Sequence, residues 1–453
     1  MSLKKNDVIK LNIESCDLNG QGIGHYEGLV VFVAGAIKDE VILAHIIKVK
    51  KTYAIGKIEK VITASKDRID PICPVYNKCG GCSFGHISYE AEAKIKSNHV
   101  KECFKRIGNL SPQFEEIITP QKTENYRNKA QFHVSMTDKG LAIGFYSMRS
   151  HRVIHCPACA LQPAEFEKIL EAFEEYIIDY KIAPYDEANH KGLLRHIYIR
   201  KAVVTSEIMV CPVINGKEMP AEDKLCEMLT SACPEIKSIV INTNTEKTNV
   251  IMGKECRTIY GSDYITDTLC SLDFRLSPLS FYQVNHDQAE RLYNKAAEYA
   301  ELTGNETVID LYCGTGTIGL SMAHKAKEII GVEIIPQAIE DAKINAKNNN
   351  IDNARFMCGD ASQLAATLES EGIKPHVVIL DPPRKGCARD VLETVARMSP
   401  DRVVYVSCDP ATLARDCGVF KELGYETIKA TPVDMFPRTG HVETVCLMSG
   451  INR

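Results

Sequence analysis

The stretch Asp310-Leu-Tyr-Cys-Gly-Thr-Gly-Thr-Ile-Gly319 decides the fold. It follows the apolar run TVID and opens a helical period, so Gly314 and Gly316 stand where a strand turns tightly into a helix and the backbone can approach a ligand closely. Working outward, EIIGVEII, VVILD and VVYVS repeat the arrangement, each near-continuously apolar and each followed by a helical period. Strands that are apolar on both faces belong to a parallel sheet covered by helices on both sides. Residues 269–453 are therefore expected to form an α/β domain of the Rossmann-like kind, holding a nucleotide-like ligand at the loop after its first strand.

Upstream the texture differs. Residues 1–62 alternate short β-rich runs (DVIKLNIE, LVVFVAG, EVILAHIIKVKKTYAIGKIEKVI) with glycine-containing turns, the pattern of a small antiparallel barrel. Residues 70–268 carry a cysteine-rich loop, the helical segment EAEAKIKSNHVKECFKRI, and strands such as AQFHVSM, LRHIYIR and SEIMVCPVI, which read as an α+β central domain. The helical segment near 90–120 is expected to pack on the C-terminal domain. With 453 residues, a modular chain is the prior expectation.

Hydrophobic residues at 45% and charged residues at 25% are the balance of a folded globular protein. MSLKKND has no apolar run behind its charges, and the longest apolar run, Leu29 to Ile37, falls far short of the roughly 20 residues of a membrane span. A cytoplasmic monomer without membrane contact is expected. Thiols stay reduced in that compartment, which turns the 18 cysteines towards metal binding or catalysis, although most should be small buried hydrophobes. The net charge of −5 excludes a non-specific polyanion binder, so any contact with nucleic acid must be local. Two basic stretches qualify: Lys48, Lys50, Lys51, Lys57 and Lys60, and HKGLLRHIYIRK with Lys191, Arg195, Arg200 and Lys201 around Tyr198. Either alone is more often a solvated face.

Gly314, Gly316 and Gly319 also satisfy G-x-G-x-x-G, a weak sign of a dinucleotide site. Asp310 argues against that ligand. A carboxylate at the strand end repels a pyrophosphate and favours a sulfonium with its amino acid tail. Glu333, ending IIGVE, is placed for two ribose hydroxyls. Asp360 after RFMCGD and Asp381-Pro382-Pro383 after the next strand extend the polar series along the carboxyl ends. Any one of these acids could merely cap a helix; the ordered series points to S-adenosyl-L-methionine.

Cys408, in VSCDPATLARD, ends the strand VVYVS just ahead of a helix, where the helix N-terminus is expected to favour its thiolate. Carbon 5 of uracil is too poor a nucleophile to take a methyl group unaided. A thiolate added at carbon 6 makes an enolate whose carbon 5 can attack the sulfonium methyl. A base must then take the carbon 5 proton, and Glu443 in HVETV is the candidate.

DLYCGTGTIGL, DPPRKG, SCDPATLARD and HVETV, in that order, together with SFYQVN and YRNKAQF, resemble the RNA uridine C5-methyltransferase family over essentially the whole chain. The resemblance implies a class I methyltransferase fold. It implies that Gln283, Tyr312, Thr317, Glu333, Asp360 and Asp381 contact S-adenosyl-L-methionine, with Cys408 as nucleophile and Glu443 as base. Thr317 stands where some relatives carry Asn. Arg127, Lys129, Arg195 and Arg200 become candidate RNA contacts. The turn LNGQGIGHYEG with its lysine-bearing hairpin resembles the TRAM domain, an OB-like RNA-binding barrel. Members of the family modify tRNA or 23S rRNA, and the barrel together with the cysteine cluster favours 23S rRNA by analogy. The target uridine would be flipped out of its stack.

Cys73, Cys79 and Cys82 lie in CPVYNKCGGC, where two glycines allow a tight wrap around a metal centre. Cys159 of Cys156-Pro-Ala-Cys159 is preferred over Cys156 as the fourth ligand, because Cys-Ala-Leu-Gln resembles the family's context, and the family implies a 4Fe-4S cluster. Spacing alone equally allows structural zinc between Cys79-x-x-Cys82 and Cys156-x-x-Cys159. An adenine amino methyltransferase is a rival, as is a non-catalytic RNA-binding factor. Those amino methyltransferases usually carry an aromatic after the two prolines, where this chain has Arg384, and neither rival needs Cys408.

Overall fold

In the computed structural model residues 3–451 are described; Met1, Ser2, Asn452 and Arg453, at the outer ends of the first and last expected domains, lie outside the described residues. Strict alternation of apolar and polar residues builds the first unit. Strands β1 (Val8–Asn12), β2 (Ser15–Cys16), β3 (Gln21–Tyr26), β4 (Leu29–Ala34), β5 (Val41–Val49) and β6 (Tyr53–Thr63) form one sheet in the order β1-β5-β6-β4-β3-β2. Alternate residues, Ile9 and Leu11, Val31 and Val33, Ile42 and Ala44, meet in a single small core. Lys48, Lys50, Lys51, Lys57 and Lys60 are exposed on the β5–β6 hairpin.

After the cysteine-rich loop, helix α1 (Tyr89–Cys103) begins where the Ser88 hydroxyl accepts the Ala91 N–H, with Glu90 and Glu92 in the first turn. A π-helical turn, Phe104–Gly108, ends it at left-handed Asn109, and β7 (Gln113–Phe114) comes next. Val100, Phe104 and Leu110 share a core with Ile309, Leu380 and Tyr405, so this segment packs on the C-terminal sheet. The central sheet uses β8 (Lys129–Thr137), β9 (Gly140–Tyr146), β10 (Val153–His155), β11 (Leu194–Lys201), β12 (Ile208–Ile214), β13 (Ile236–Thr243) and β14 (Glu255–Gly261), in the order β10-β9-β8-β11-β12-β13-β14. Helices α2 (Glu165–Asp179) and α3 (Glu222–Ala232) cover one face of it through Phe166, Phe173, Leu225 and Leu229.

A hairpin, β15 (Ile265–Leu269) and β16 (Leu272–Leu276), then leads to α4 (His286–Ala300). Its inward residues Ile265, Leu269 and Phe274 are buried with Leu292, Val308 and Ile379. The boundary expected between residues 268 and 269 thus falls inside a hairpin, whose core joins central-sheet residues Tyr198, Met209 and Val240 to the C-terminal Leu292, Val308 and Ile379.

The C-terminal unit alternates β17 (Thr307–Leu311), α5 (Thr317–Met322), β18 (Glu328–Glu333), α6 (Pro336–Asn348), β19 (Ala354–Cys358), α7 (Ala361–Ser370), β20 (Val377–Leu380), α8 (Arg389–Met398), β21 (Arg402–Ser407) and α9 (Pro410–Glu422), then closes with β22 (Tyr425–Val433) and β23 (Glu443–Gly450). The order is β19-β18-β17-β20-β21-β23-β22-β7, with β17 to β21 parallel and β23 antiparallel to both its neighbours. Strand order reverses between β17 and β20, and a crevice at that switch point is where open α/β sheets bind ligands. Among the described residues no helix is long and apolar enough to cross a membrane.

Candidate active site and cysteine pocket

The carboxyl ends of β17, β18 and β20 put three acids on one rim of the sheet. Asp310 is buried; its Oδ2 accepts the Gly319 N–H at 3.0 Å, while Oδ1 is buried without a partner. Burial, followed by Asp381 and Glu333, pushes its carboxyl up to about 7. The Glu333 carboxylate accepts the Gly314 N–H at 3.1 Å and the Ile335 N–H at 3.0 Å, tying the glycine turn to the loop after β18. A Cβ on Gly319 would lie 2.9 Å from Asp310 Oδ2, so this position admits no side chain without displacing the acid. Tyr312, just past the strand, takes a left-handed φ of 68°. Thr317 opens α5 with its hydroxyl 3.2 Å from that of Tyr293, and Gln283 is held by the Asn128 side chain, which donates to its carbonyl at 2.9 Å. Asp360 does cap a helix: its Oδ1 accepts the Ser362 and Gln363 N–H groups at the start of α7.

Sequence reasoning missed three exposed apolar residues that neighbour these site residues along the chain. Ile334 and Ile335 directly follow Glu333 and are 61% and 56% exposed, and Phe281, two residues before Gln283, is 64% exposed. The signal was there: an apolar pair running past the strand end has no sheet neighbour to cover it, and a flat heterocycle would. The orphaned Asp310 oxygen and the rim of acids fit the positively charged S-adenosyl-L-methionine.

One strand further on, Ser407 pairs with Thr444, so Cys408 and Glu443 are the next antiparallel partners beyond the β21–β23 ladder. The thiol is not depressed as expected. Burial pushes Cys408 up to about 11, Glu443 and Asp381 add to the rise, and Arg384 opposes it. Next door, Asp409 caps α9 by accepting the Ala411 and Thr412 N–H groups at 2.9 and 3.0 Å, so these donors are not left over to offset the burial of the thiol. Glu443, 5% exposed, is pushed up to about 8 by burial and then by Asp381, against Arg384. Burial holds Asp381 at about 7. Arg384 is thus the cation facing this pair, a role signalled in the sequence only by its place directly after the two prolines.

Two expected RNA contacts are corrected. Arg195 is buried against the Tyr185 ring, and its guanidinium donates to the carbonyls of Asn244, Glu246 and Thr248. Arg200, 1% exposed, donates to the carbonyls of Ser277 and Ser280. Both sit on the strand β11, where their fork of donors satisfies loop carbonyls and never reaches solvent. Arg127 and Lys129 keep partial exposure. Arg127 forms a bridge with Asn285 and lies 5.9 Å from the Phe436 ring centre; Lys129, on the polar edge of β8, is pushed down to about 8 by burial and by Arg200 and Arg127.

Cys73, Cys79, Cys82, Cys156 and Cys159 line one cavity of about 140 Å³, with Arg127 and Arg438 also on its wall. The Gly81 N–H points at Cys79 Sγ at 3.4 Å, and Cys159 receives the Cys156 thiol and the N–H groups of Leu161 and Gln162, which hold its own thiol down to about 7. Among the described residues no group of three or more His, Cys, Asp or Glu is arranged to hold a metal ion.

Residues 88–451 match the tRNA (uracil-5-)-methyltransferase family, and residues 3–58 match the TRAM domain. An uncharacterized RNA methyltransferase of Clostridium tetani is 46% identical over 447 residues, covering 99% of this chain and 97% of its own. One from Halalkalibacterium halodurans is 44% identical over 447 residues, covering 98% of each. Among solved structures, the tRNA (uracil-54, C5)-methyltransferase of Pyrococcus abyssi in complex with S-adenosyl-L-homocysteine superposes with a TM-score of 0.78 at 26% identity, covering 97% of this chain and all of that one. A TRAM domain, a cofactor cleft on a methyltransferase sheet and a match across residues 88–451 make this chain a member of the RNA uracil-5-methyltransferase family.

Proposed function

We propose that this enzyme methylates carbon 5 of a uridine in 23S rRNA through a covalent bond between Cys408 and carbon 6. The observation that carries the reading is that Cys408 and the buried Glu443 lie just past the Ser407–Thr444 pair that ends the β21–β23 ladder, each electrostatically coupled to Asp381. S-adenosyl-L-methionine supplies the methyl group as a sulfonium cation, held by Asp310, Glu333 and Asp360 with Gln283, Tyr312 and Thr317. Arg384 and that nearby positive charge favour the Cys408 thiolate, which adds to carbon 6 and drives the ring electrons onto the carbon 4 oxygen. Carbon 5 then takes the methyl group as the sulfur–methyl bond breaks, and uncharged S-adenosyl-L-homocysteine leaves. Glu443 removes the carbon 5 proton, the carbon 6–sulfur bond breaks, and Cys408 leaves as thiolate. Glu443→Gln therefore accumulates a protein–RNA conjugate that survives denaturation; its absence, with product still forming, refutes the role.

Arg127 and Lys129 are assigned to the RNA backbone beside the target. The cysteine pocket is assigned a 4Fe-4S cluster held by Cys73, Cys79, Cys82 and Cys159, with a folding or RNA-positioning role. Five thiols around one cavity, backbone donors aimed at sulfur and two arginines for countercharge support it. Anaerobic purification and elemental analysis test it: colourless protein with stoichiometric zinc and no iron or sulfide overturns the cluster.

A tRNA target is the second reading, favoured by the whole-chain superposition on the Pyrococcus abyssi tRNA enzyme. Labelled-methyl transfer to unmodified 23S rRNA and tRNA transcripts, with the methylated position then mapped, decides between them.

A further inference from the structure

Between β22 and β23 the chain runs through a strap, residues 434–442, that delivers Glu443. Glu443 pairs only with Val433 at the very end of the β22–β23 ladder, so the sheet alone holds it weakly and the strap must set its direction. The strap is gripped from every side. Lys96 on α1 is fully buried, and its ammonium donates to Asp434 Oδ1 at 2.8 Å, the Phe436 carbonyl at 3.1 Å and Glu92 Oε1 at 2.7 Å, which uses all three of its protons. Tyr89 donates to the other Asp434 oxygen at 2.8 Å. Glu92 in turn accepts the Arg438 N–H at 2.7 Å. From α4, Gln288 and Asn285 donate to the carbonyls of Asp434 and Met435. From the cysteine-rich loop, the Ser83 and Phe84 N–H groups both donate to the Arg438 carbonyl, at 2.8 and 3.1 Å.

A salt-bridge network without solvent exposure is a costly way to tie two segments together, and well-packed apolar residues would serve stability alone at least as well. Its use here suits a loop whose position, rather than mere burial, matters. We propose that Lys96 is a positioning residue for Glu443: with Ser83 and Phe84 of the cysteine-rich loop it clamps the strap so that the Glu443 carboxyl faces the Cys408 adduct. The inference rests on the assignment of Cys408 and Glu443 above. It gives the cysteine-rich loop a second task, since that loop touches the strap that carries the base.

The test uses full-length enzyme with unmodified 23S rRNA and tRNA transcripts, reading methylated product against denaturation-resistant conjugate. Lys96→Met is expected to lower product release at least tenfold and to raise the share of conjugate, with the KM for S-adenosyl-L-methionine unchanged. Tyr89→Phe, which removes one of the two side-chain donors to the Asp434 carboxylate and keeps all charges, should move the partition the same way to a smaller extent, and it carries the test if Lys96→Met does not fold. Wild-type partition in Tyr89→Phe, or loss of conjugate and product together in both variants, overturns the proposal. Glu443→Gln is the control. Conjugate in Glu443→Gln but not in the other two refutes the clamp alone, whereas none in Glu443→Gln refutes the base assignment beneath it.

Discussion

Cys408 illustrates how a residue's chemistry depends on its neighbours in the pocket. Its thiol is raised to about 11 in the free protein because burial disfavours the thiolate and the carboxyls of Glu443 and Asp381 face it. In the proposed mechanism the cofactor's positive charge and Arg384 would supply the activation, which would couple nucleophile and methyl donor. Cys408→Ala should abolish methyl transfer while RNA affinity, read by filter binding, stays within about threefold, because one buried thiol contributes little to a phosphate-dominated contact. The carboxyls predict a pH effect with a definite sign. Asp310, Asp381 and Glu443 have values raised to about 7, 7 and 8, so they favour the folded state below their unfolded values and lose that contribution as pH rises through 7 to 8. A bound sulfonium restores it by pairing with the ionised forms. Calorimetry should find the affinity ratio of S-adenosyl-L-methionine to uncharged-sulfur S-adenosyl-L-homocysteine rising roughly tenfold between pH 6 and 8.5, equivalent to about 1.4 kcal/mol of preference for one ionised carboxyl. A flat ratio would remove these acids from the sulfonium's surroundings.

Among elements, α5 and α9 are fixed in opposite ways. The start of α5 depends on glycine: Gly316 has a φ of 81°, and Gly319 has no room for a Cβ beside Asp310 and Ile329. Gly319→Ala should cut cofactor affinity at least tenfold in a fluorescence titration while leaving RNA binding intact. Helix α9 depends on its cap. Asp409→Ala should cost about 1 kcal/mol in chemical denaturation, and by freeing the Ala411 and Thr412 N–H groups it should also lower the Cys408 pKa, measurable by the pH dependence of thiol alkylation. Unchanged alkylation would show that desolvation alone sets the thiol. The π-helical turn and β7 matter for a different reason: they carry the end of α1 onto the C-terminal sheet, which is how Lys96 comes to lie under the strap.

At the scale of the molecule, the RNA contacts proposed at Arg127 and Lys129 carry a salt-dependent signature. Lys129→Gln should reduce the slope of log affinity against log salt by roughly 0.7 if it meets one phosphate of a single strand. The same substitution at exposed Lys254, just before the edge strand β14, should leave the slope unchanged.

The order of the strands TVID, EIIGVE, VVILD and VVYVS, the acids at their ends and the pairing of SCDP with HVE were legible in the sequence, because a buried parallel strand declares itself by composition and its end by the acid, glycine or proline that breaks the apolar run. The barrel strands were legible through alternation. Side-chain direction was not. Arg195 and Arg200 looked like an RNA-facing stretch, yet β11 is central and covered on both faces, so their charges turned inward to carbonyls far along the chain. Nor could the sequence place Lys96 beside Asp434 or Ser83 beside Arg438, since those contacts join segments hundreds of residues apart. The sequence by itself determined the family and the order of its motifs; tertiary structure alone decided which charges face Cys408 and which groups grip the strap before Glu443, because protonation and direction depend on neighbours that only packing brings near.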